Sequence, residues 1–254
     1  MNEFDHIASF YDAMYSERKH DVEFYVDLAK EIRGPVLECG CGTGRVLLPI
    51  AQSGIEIWGI DGSQAMLDVT RTKLRHLSPE IQNRIHVSHQ DMCDFQLGQS
   101  FSLCIVPFRA FLHLLSIEDQ EKALLQMHKH LKRGGILVLD IFAPSYKLLA
   151  EESATIHLAE RFNPETGQNF TIVDHVRYEH DRQLIYVERY YEEVDDSGHV
   201  IRKVMHFSLR YIFRYEMQIL LEKDGFRLKE VFGQFDKRPY DYTSGEMIFV
   251  AEKT

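Results

Sequence analysis

The chain has 254 residues, with a formal net charge of −10 at pH 7, 44% hydrophobic residues and 27% charged residues. This composition is that of a globular protein large enough to fold without disulfides or metals, and an acidic surface disfavours a nucleic-acid partner because phosphates repel it. The N-terminus is acidic where a secretory signal is basic, and no apolar run approaches the ~18 residues of a membrane span, so we expect a cytoplasmic protein that does not enter membranes.

The first 142 residues predict alternating helices and strands. Residues 1–33 have apolar positions at helical spacing and end at Gly34-Pro35. Predicted strands follow at Pro35–Glu38, Ile55–Ile60, Ile85–His89, Phe101–Pro107 and Ile136–Phe142. Predicted helices lie between them at Arg45–Gln52, Ser63–Leu77 and Ser116–Leu131. This order predicts an α/β fold with a doubly wound, mostly parallel Rossmann-like sheet.

The pattern changes after about residue 150. Three runs rich in Val, Ile, Tyr and Phe, separated by turn residues, are Thr171–His180, Gln183–Val194 and His199–Tyr211. We expect an inserted antiparallel β-meander spanning 149–212, which serves either as a lid or as a dimerisation surface. A helix at Arg214–Lys223 and strands at Arg227–Gly233 and Met247–Glu252 then complete the main domain, which comprises 1–148 and 213–254.

The most informative stretch is the loop after the first predicted strand, where Gly40, Gly42 and Gly44 alternate with other residues. Glycines let a backbone turn tightly and approach a ligand closely. Asp61 ends the second strand, where a carboxylate can accept hydrogen bonds from ribose hydroxyls, and Asp91 ends the third, where one can accept from an adenine amino group. The pattern predicts an adenosine site, although Asp61 alone could cap a helix and Asp91 alone could stabilise a turn.

The main alternative is an NAD(P)-dependent oxidoreductase. Its G-x-G-x-x-G fingerprint requires a third glycine where this chain has Arg45. Glu38, two residues before the first glycine, would repel a pyrophosphate and favours a ligand with an ammonium group. A second alternative is a module that binds the cofactor without catalysis. The four cysteines are Cys39, Cys41, Cys93 and Cys104, and they have no zinc-site spacing, so we expect reduced thiols and no metal site.

These motifs resemble those of class I S-adenosylmethionine-dependent methyltransferases. The segments that carry the resemblance are Glu38-Cys39-Gly40-Cys41-Gly42-Thr43-Gly44, Gly59-Ile60-Asp61-Gly62-Ser63-Gln64-Ala65-Met66-Leu67 and Gln90-Asp91-Met92. The resemblance covers roughly residues 5–142 and the C-terminal strands. It implies a seven-stranded sheet whose last strand is antiparallel, and the meander is similar to that of small-molecule methyltransferases.

The resemblance also implies roles for individual residues. The cofactor-binding set would be Tyr11, Tyr15, Glu38, Gly40, Cys41, Gly42, Gly44, Asp61, Gly62, Met66, Asp91 and Met92. Within it, Glu38 and the glycine loop would hold the methionine part, and Tyr11 and Tyr15 would close over the cofactor. The tyrosines could instead belong to a helix that packs on the sheet.

The acceptor site is less well defined. A sulfonium methyl is already activated, so the enzyme has to align the acceptor, exclude water and leave the nucleophile unprotonated. We expect a small-molecule acceptor, with His113 and Tyr11 as catalytic candidates and Phe108, Arg109 and Tyr178 as substrate-binding candidates. Alternatively, His113 is structural and Arg109 pairs with an acid. Methyltransferases of nucleobases and protein amides carry an Asn/Asp-Pro-Pro-Tyr motif where this chain has Val-Pro-Phe-Arg, so we do not expect those acceptors.

Overall fold

A computed structural model describes residues 4–5, 7–15, 19–163, 167–195 and 197–254. The strands are Val36–Cys39 (β1), Ile57–Asp61 (β2), Ile85–His89 (β3), Phe101–Val106 (β4), Leu131–Phe142 (β5), Ser153–Asn163 (β6), Gln168–Glu179 (β7), Leu184–Val194 (β8), Val200–Arg210 (β9), Phe226–Phe232 (β10) and Glu246–Lys253 (β11). The α-helices are Ala8–Tyr15 (α1), His20–Ile32 (α2), Leu47–Gln52 (α3), Gln64–Leu74 (α4), Pro79–Gln82 (α5), Ile117–His130 (α6), Tyr146–Leu149 (α7) and Arg214–Lys223 (α8). Among the described helices, none combines the length and the apolar character needed to cross a membrane.

The main sheet has seven strands in the order β10-β11-β5-β4-β1-β2-β3. The run from β5 to β3 is parallel, and β11 is antiparallel to both of its neighbours. This arrangement confirms the predicted α/β class, with a mostly parallel, seven-stranded sheet. Parallel strands in this order bring the ends of β1, β2 and β4 to one edge, where ligands bind in such folds.

Two apolar layers cover the two faces of the main sheet. One contains Phe95, Phe101, Phe111 and Phe249 against α6 and α8, and the other is built around Tyr25 and α3. Burial of each large apolar side chain stabilises the fold by roughly 1.5–3 kcal/mol. Helix α4 begins at the N-cap Ser63, whose hydroxyl accepts from the N–H of Met66.

The second sheet has four antiparallel strands in the order β6-β7-β8-β9. We predicted only three, because the sequence of Ser153–Asn163 mixes polar residues with few large apolar ones. The inner face of this sheet packs against α1: Ile7 and Met14 share an apolar cluster with Ile172 and Met205. The small sheet and α1 therefore lie together over the main sheet.

The largest differences from the predicted boundaries are three. The N-terminal segment forms two helices, α1 and α2, and the helix after the glycine loop begins at Leu47 rather than Arg45. Helix α6 ends at His130, and β5 begins at once, so Gly134 lies inside a strand. Gly134 has φ +73°, and a register shift between β4 and β5 accommodates this irregular stretch.

Candidate active site

A cavity of about 400 Å³ lies at the carboxyl edge of the main sheet, under α1 and the small sheet. Its floor is lined by Gly40, Gly42, Asp61, Gly62, Met66, Met92, Pro107, Phe108, Arg109, Ala110 and His113. Its cover is lined by Phe4, Ile7, Tyr11, Met14, Tyr15, Leu158, Arg161, Ile172, Arg189, Met205, Phe207 and Leu209. Most of the predicted site residues therefore meet in one place, although they come from distant parts of the chain.

The glycine loop forms part of the cavity wall with bare backbone. Gly40 and Gly42 have φ of +76° and +53°, in the left-handed region that favours glycine. A Cβ on Gly40 would lie 2.8 Å from the Cβ of Ala110, and one on Gly42 would lie 3.3 Å from the Cε of Met66. A side chain at either position would crowd the cavity. The glycines therefore leave room for a ligand that fits closely against the backbone.

Asp61 is held in place by two backbone donors. The N–H of Gly42 donates to Oδ2 and the N–H of Ser63 donates to Oδ1, both over 2.7 Å. Burial raises the pKa of Asp61 above its ordinary value, although both N–H groups favour the charged form. A carboxylate oxygen has two lone pairs, so each oxygen can accept a further hydrogen bond from a ligand hydroxyl.

Glu38 lies buried at the end of β1, and no described group donates a hydrogen bond to its Oε2. Burial raises the pKa of Glu38 well above its usual range, partly offset by the charge of Arg45. A buried carboxylate oxygen without a hydrogen-bond partner is costly. The side chain of Glu38 does not line the cavity, but Glu38 lies in β1 two residues before Gly40, and its chemistry fits an ammonium group of a bound ligand.

The remaining predicted cofactor residues divide into two groups. Met92 lines the cavity, whereas Asp91 is exposed, and its Oδ1 accepts from the N–H of Cys93 over 2.7 Å, as expected for a turn. Cys41 is buried behind the loop, and Gly44 packs closely on Leu48. Cys41 and Gly44 thus belong to the glycine loop without lining the cavity, and Asp91 also lies outside the cavity lining.

Helix α1 is fastened to both halves of the site. Asp12 accepts a 2.7 Å hydrogen bond from Oγ1 of Thr43 in the glycine loop and forms an ion pair with Lys73. Tyr15 accepts a 2.7 Å hydrogen bond from Arg189 of the small sheet. Burial and the neighbouring Tyr15 raise the pKa of Tyr11 well above its usual value, so its phenol stays protonated at neutral pH.

Arg45, which stands where the dinucleotide fingerprint has its third glycine, forms an ion pair with a buried acid. Its guanidinium makes two hydrogen bonds to the buried Asp21, of 2.9 and 2.6 Å. The same guanidinium lies 4.6 Å from the centroid of the Phe108 ring. No local sequence signal marks Asp21 as the partner of Arg45, because it lies 24 residues away on α2.

The loop after β4 has an unusual backbone. Phe108 and Arg109 both have positive φ, +58° and +64°, which costs roughly 1–2 kcal/mol for each non-glycine residue. The carboxylate of Asp140 accepts from the N–H of Phe108 over 2.8 Å and from that of Arg109 over 3.2 Å. The side chain of Arg109 pairs with Glu246 over 2.5 Å, so the alternative that Arg109 pairs with an acid is the one observed.

Two of the acceptor candidates have different outcomes. His113 lines the cavity on a short 3₁₀ helix, with its ring 5.0 Å from that of Phe4 and 6.0 Å from that of Phe207. Tyr178 does not line the cavity, so its position does not support the substrate-binding role predicted for it. The ring of Tyr178 stacks on that of His180, with centroids 5.5 Å apart. Tyr178 follows the cavity-lining Ile172 by six residues, which is about 20 Å along the strand.

A doubly wound sheet with a cavity above the ends of β1, β2 and β4 has the arrangement in which α/β proteins bind their ligands. Residues 36–135 match the family model of a methyltransferase domain. A putative methyltransferase, YqeM, of Bacillus subtilis (strain 168) is 24% identical over 97% of this chain and 96% of its own length.

Two further comparisons agree. The dTDP-3-amino-3,6-dideoxy-alpha-D-glucopyranose N,N-dimethyltransferase of Streptomyces fradiae is 28% identical over 53% of this chain and 52% of its own. The solved structure of S-adenosylmethionine-bound CalS10, an amino pentose methyltransferase from Micromonospora echinaspora, has the same fold, with a TM-score of 0.74 and 22% identity over 96% of this chain and 97% of its own. The methyltransferase-domain match and the shared fold make this chain a methyltransferase similar to the class I S-adenosylmethionine-dependent enzymes, and the comparisons support S-adenosylmethionine as its cofactor. None of these comparisons favours the oxidoreductase or the non-catalytic alternative.

Proposed function

We propose that this methyltransferase methylates an amine nitrogen of a small molecule held between the glycine loop and the inner face of the small sheet. The observation that carries the proposal is the cavity itself, which joins the predicted cofactor residues Gly40 and Asp61 to the sheet residues Ile172 and Met205. A cavity of about 400 Å³ suits a small acceptor rather than a folded protein or a duplex.

The residues of the floor have distinct roles in this proposal. Glu38, the glycine loop and Asp61 hold the cofactor, with Met66 and Met92 beside it. When bound, S-adenosylmethionine supplies a methyl group on a positively charged sulfur, which needs no further activation. Tyr11 and Phe108 exclude water from the methyl group, and the protonated phenol of Tyr11 can donate a hydrogen bond.

An amine is favoured over a hydroxyl for two reasons. An amine needs only to be unprotonated and desolvated before it attacks, so its reaction requires less of the cavity than that of a hydroxyl, which has to be deprotonated as it attacks. The Streptomyces fradiae relative is, by its name, an amino-sugar N,N-dimethyltransferase. His113 is the cavity-lining group proposed to accept the proton that the amine releases.

The small sheet supplies the cover of the acceptor space in this proposal, as the lid alternative for 149–212 requires. A homodimer and a cytoplasmic location stay predictions, to be tested by sedimentation velocity and cell fractionation.

The test uses pairs of compounds that differ only in the acceptor atom, such as glucosamine with glucose and phenylethylamine with phenylethanol. Each compound is incubated with the enzyme and S-adenosylmethionine, and mass spectrometry follows S-adenosylhomocysteine and the methylated product. We expect one or two added methyl groups on amines only. Transfer confined to hydroxyls, or to protein substrates, would overturn the proposal.

A further inference from the structure

The loop after β4 requires an explanation that the cofactor motifs do not supply. Phe108 and Arg109 both have a left-handed backbone conformation, although neither is glycine and neither belongs to the predicted cofactor motifs. Two consecutive strained residues persist only where the surroundings hold them in place. Such strain is concentrated at functional sites, and this loop carries the ring of Phe108 into the cavity.

Asp140 near the end of β5 provides that hold. Its Oδ1 accepts from the N–H of Phe108 over 2.8 Å and from the hydroxyl of Tyr25 over 2.6 Å. Its Oδ2 accepts from the N–H of Arg109 over 3.2 Å. The carboxylate is almost completely buried, so these three donors take the place of water. The loop backbone is thus fixed by a single side chain from the neighbouring strand.

The ring of Phe108 is fixed in turn by this backbone. It lies edge-on to Tyr15 of α1, with centroids 4.7 Å apart, and under the guanidinium of Arg45, 4.6 Å from its centroid. Arg45 directly follows the glycine loop, and Tyr15 belongs to the cover. Phe108 therefore connects the two walls of the cavity, and a rotation of its backbone would move the surface against which an acceptor packs.

We propose that Asp140 is a positioning residue for methyl transfer, which sets the acceptor wall by holding the Phe108–Arg109 backbone in its left-handed conformation. Asp140 contacts neither cofactor nor acceptor in this scheme. Its effect passes through two backbone N–H groups to one aromatic ring. The inference rests on the proposed function for its catalytic consequence, whereas its structural part can be tested without any acceptor.

The variant Asp140→Asn separates the two parts. One oxygen becomes an NH₂ group, which cannot accept from an N–H, so one of the two backbone bonds is lost while the volume stays the same. We expect amide hydrogen exchange at residues 108 and 109 to accelerate by about tenfold. Calorimetric Kd for S-adenosylhomocysteine should stay within about threefold of wild type, since Gly42 and Asp61 are untouched.

With an amine acceptor found as above, kcat should fall by about tenfold to a hundredfold, because misplacement by about 1 Å costs this much. The matched control is Asp224→Asn, a buried acid at the end of α8 on the opposite edge of the sheet, which should leave all three measurements unchanged. The milder variant Tyr25→Phe removes one donor to Asp140 and should give a smaller change in the same direction.

The outcomes are distinguishable. If exchange at 108 and 109 is unchanged in Asp140→Asn, or if cofactor affinity falls as much as turnover, the positioning role is wrong. If the wild type methylates no amine, the proposed function fails, and the exchange data still decide whether Asp140 holds the loop. Accelerated exchange with full turnover would show that Asp140 holds the backbone but does not set the acceptor wall, which also overturns the proposal.

Discussion

The backbone N–H of Gly42 donates to Oδ2 of Asp61 over 2.7 Å, which ties the glycine loop to the end of β2. Asp61 thus shapes the loop in addition to facing the cavity. A change at Asp61 should therefore affect the cofactor in two ways, by loss of a direct contact and by loosening of the loop.

We predict that Asp61→Asn weakens binding of S-adenosylhomocysteine by about 1–3 kcal/mol, the range for losing a hydrogen-bond partner that carries charge. Isothermal titration calorimetry measures the change. Asp68→Asn is the matched control, because Asp68 is exposed on α4 and pairs only on the surface. Equal affinities for Asp61→Asn and wild type would remove Asp61 from the cofactor site.

We expect cofactor binding to be linked to the protonation of Glu38. Its pKa is raised by burial, so the cofactor-free protein holds a proton on Glu38 at higher pH than an exposed glutamate would. A bound ammonium group would lower this pKa, so binding should release protons and weaken as the pH falls. Calorimetry in buffers of different ionisation enthalpy counts the protons released.

Glu38→Gln should abolish this proton release and weaken binding, whereas the exposed Glu56→Gln should change neither. Proton release that persists in Glu38→Gln would assign the linkage to another group.

The hydroxyl of Thr43 predicts an effect on the dissociation rate. Thr43→Val keeps the shape of this buried side chain but removes the donor to Asp12, and a lost hydrogen bond costs about 0.5–1.5 kcal/mol. We expect faster dissociation of S-adenosylhomocysteine in stopped-flow displacement, because α1 is held less firmly. Thr72→Val removes an exposed hydroxyl on α4 and should have no effect. An unchanged dissociation rate in Thr43→Val would mean that this hydrogen bond does not retain the cofactor.

Asp140 predicts an acid limb in the pH profile of kcat. Burial, opposed by the hydrogen bond from Tyr25, raises the pKa of Asp140 to about 6. The loop needs the charged form, so turnover should fall as the pH drops through this value. Tyr25→Phe removes a group that lowers this pKa, so the midpoint should move to higher pH.

Glu246→Gln removes a negative charge that raises the pKa of Asp140, so it should move the midpoint to lower pH. Shifts in the same direction for the two variants would contradict the assignment of the limb to Asp140. The free energy of unfolding depends on pH in the opposite direction to turnover. The pKa of Asp140 in the folded protein exceeds the value of about 3.9 in the unfolded chain. The contribution of Asp140 to stability is therefore greatest below pH about 3.9 and is lost as the pH rises through about 6.

The sequence predicted what local patterns encode. The alternation of strands and helices, the glycine loop and Asp61 are each readable within a window of a few residues, and the sheet order then brings them to one edge. Strand β6 was missed because a bulge between His157 and Ala159 interrupts its alternation of polar and apolar residues. The distance of Tyr178 from the cavity could not be predicted, because period-2 alternation gives the face of a strand but not the distance along it.

The long-range partners could not be predicted. Arg109 forms an ion pair with Glu246, which lies 137 residues further along the chain. The N–H of Phe108 donates to Asp140, which lies 32 residues further along. Nothing near either acid marks it as part of the site, because their roles arise only when β5 and β11 pair beside the loop. A left-handed conformation at two non-glycine residues likewise leaves no signal in the sequence.

Helix α1 has only eight residues, and it is bound at Asp12 to the glycine loop and at Tyr15 to the small sheet. The spent cofactor and the methylated product therefore leave from beneath the same cover. We expect this helix to move when cofactor and product are exchanged, so that the hydrogen bonds at Asp12 and Tyr15 influence the rate of exchange separately from the rate of methyl transfer.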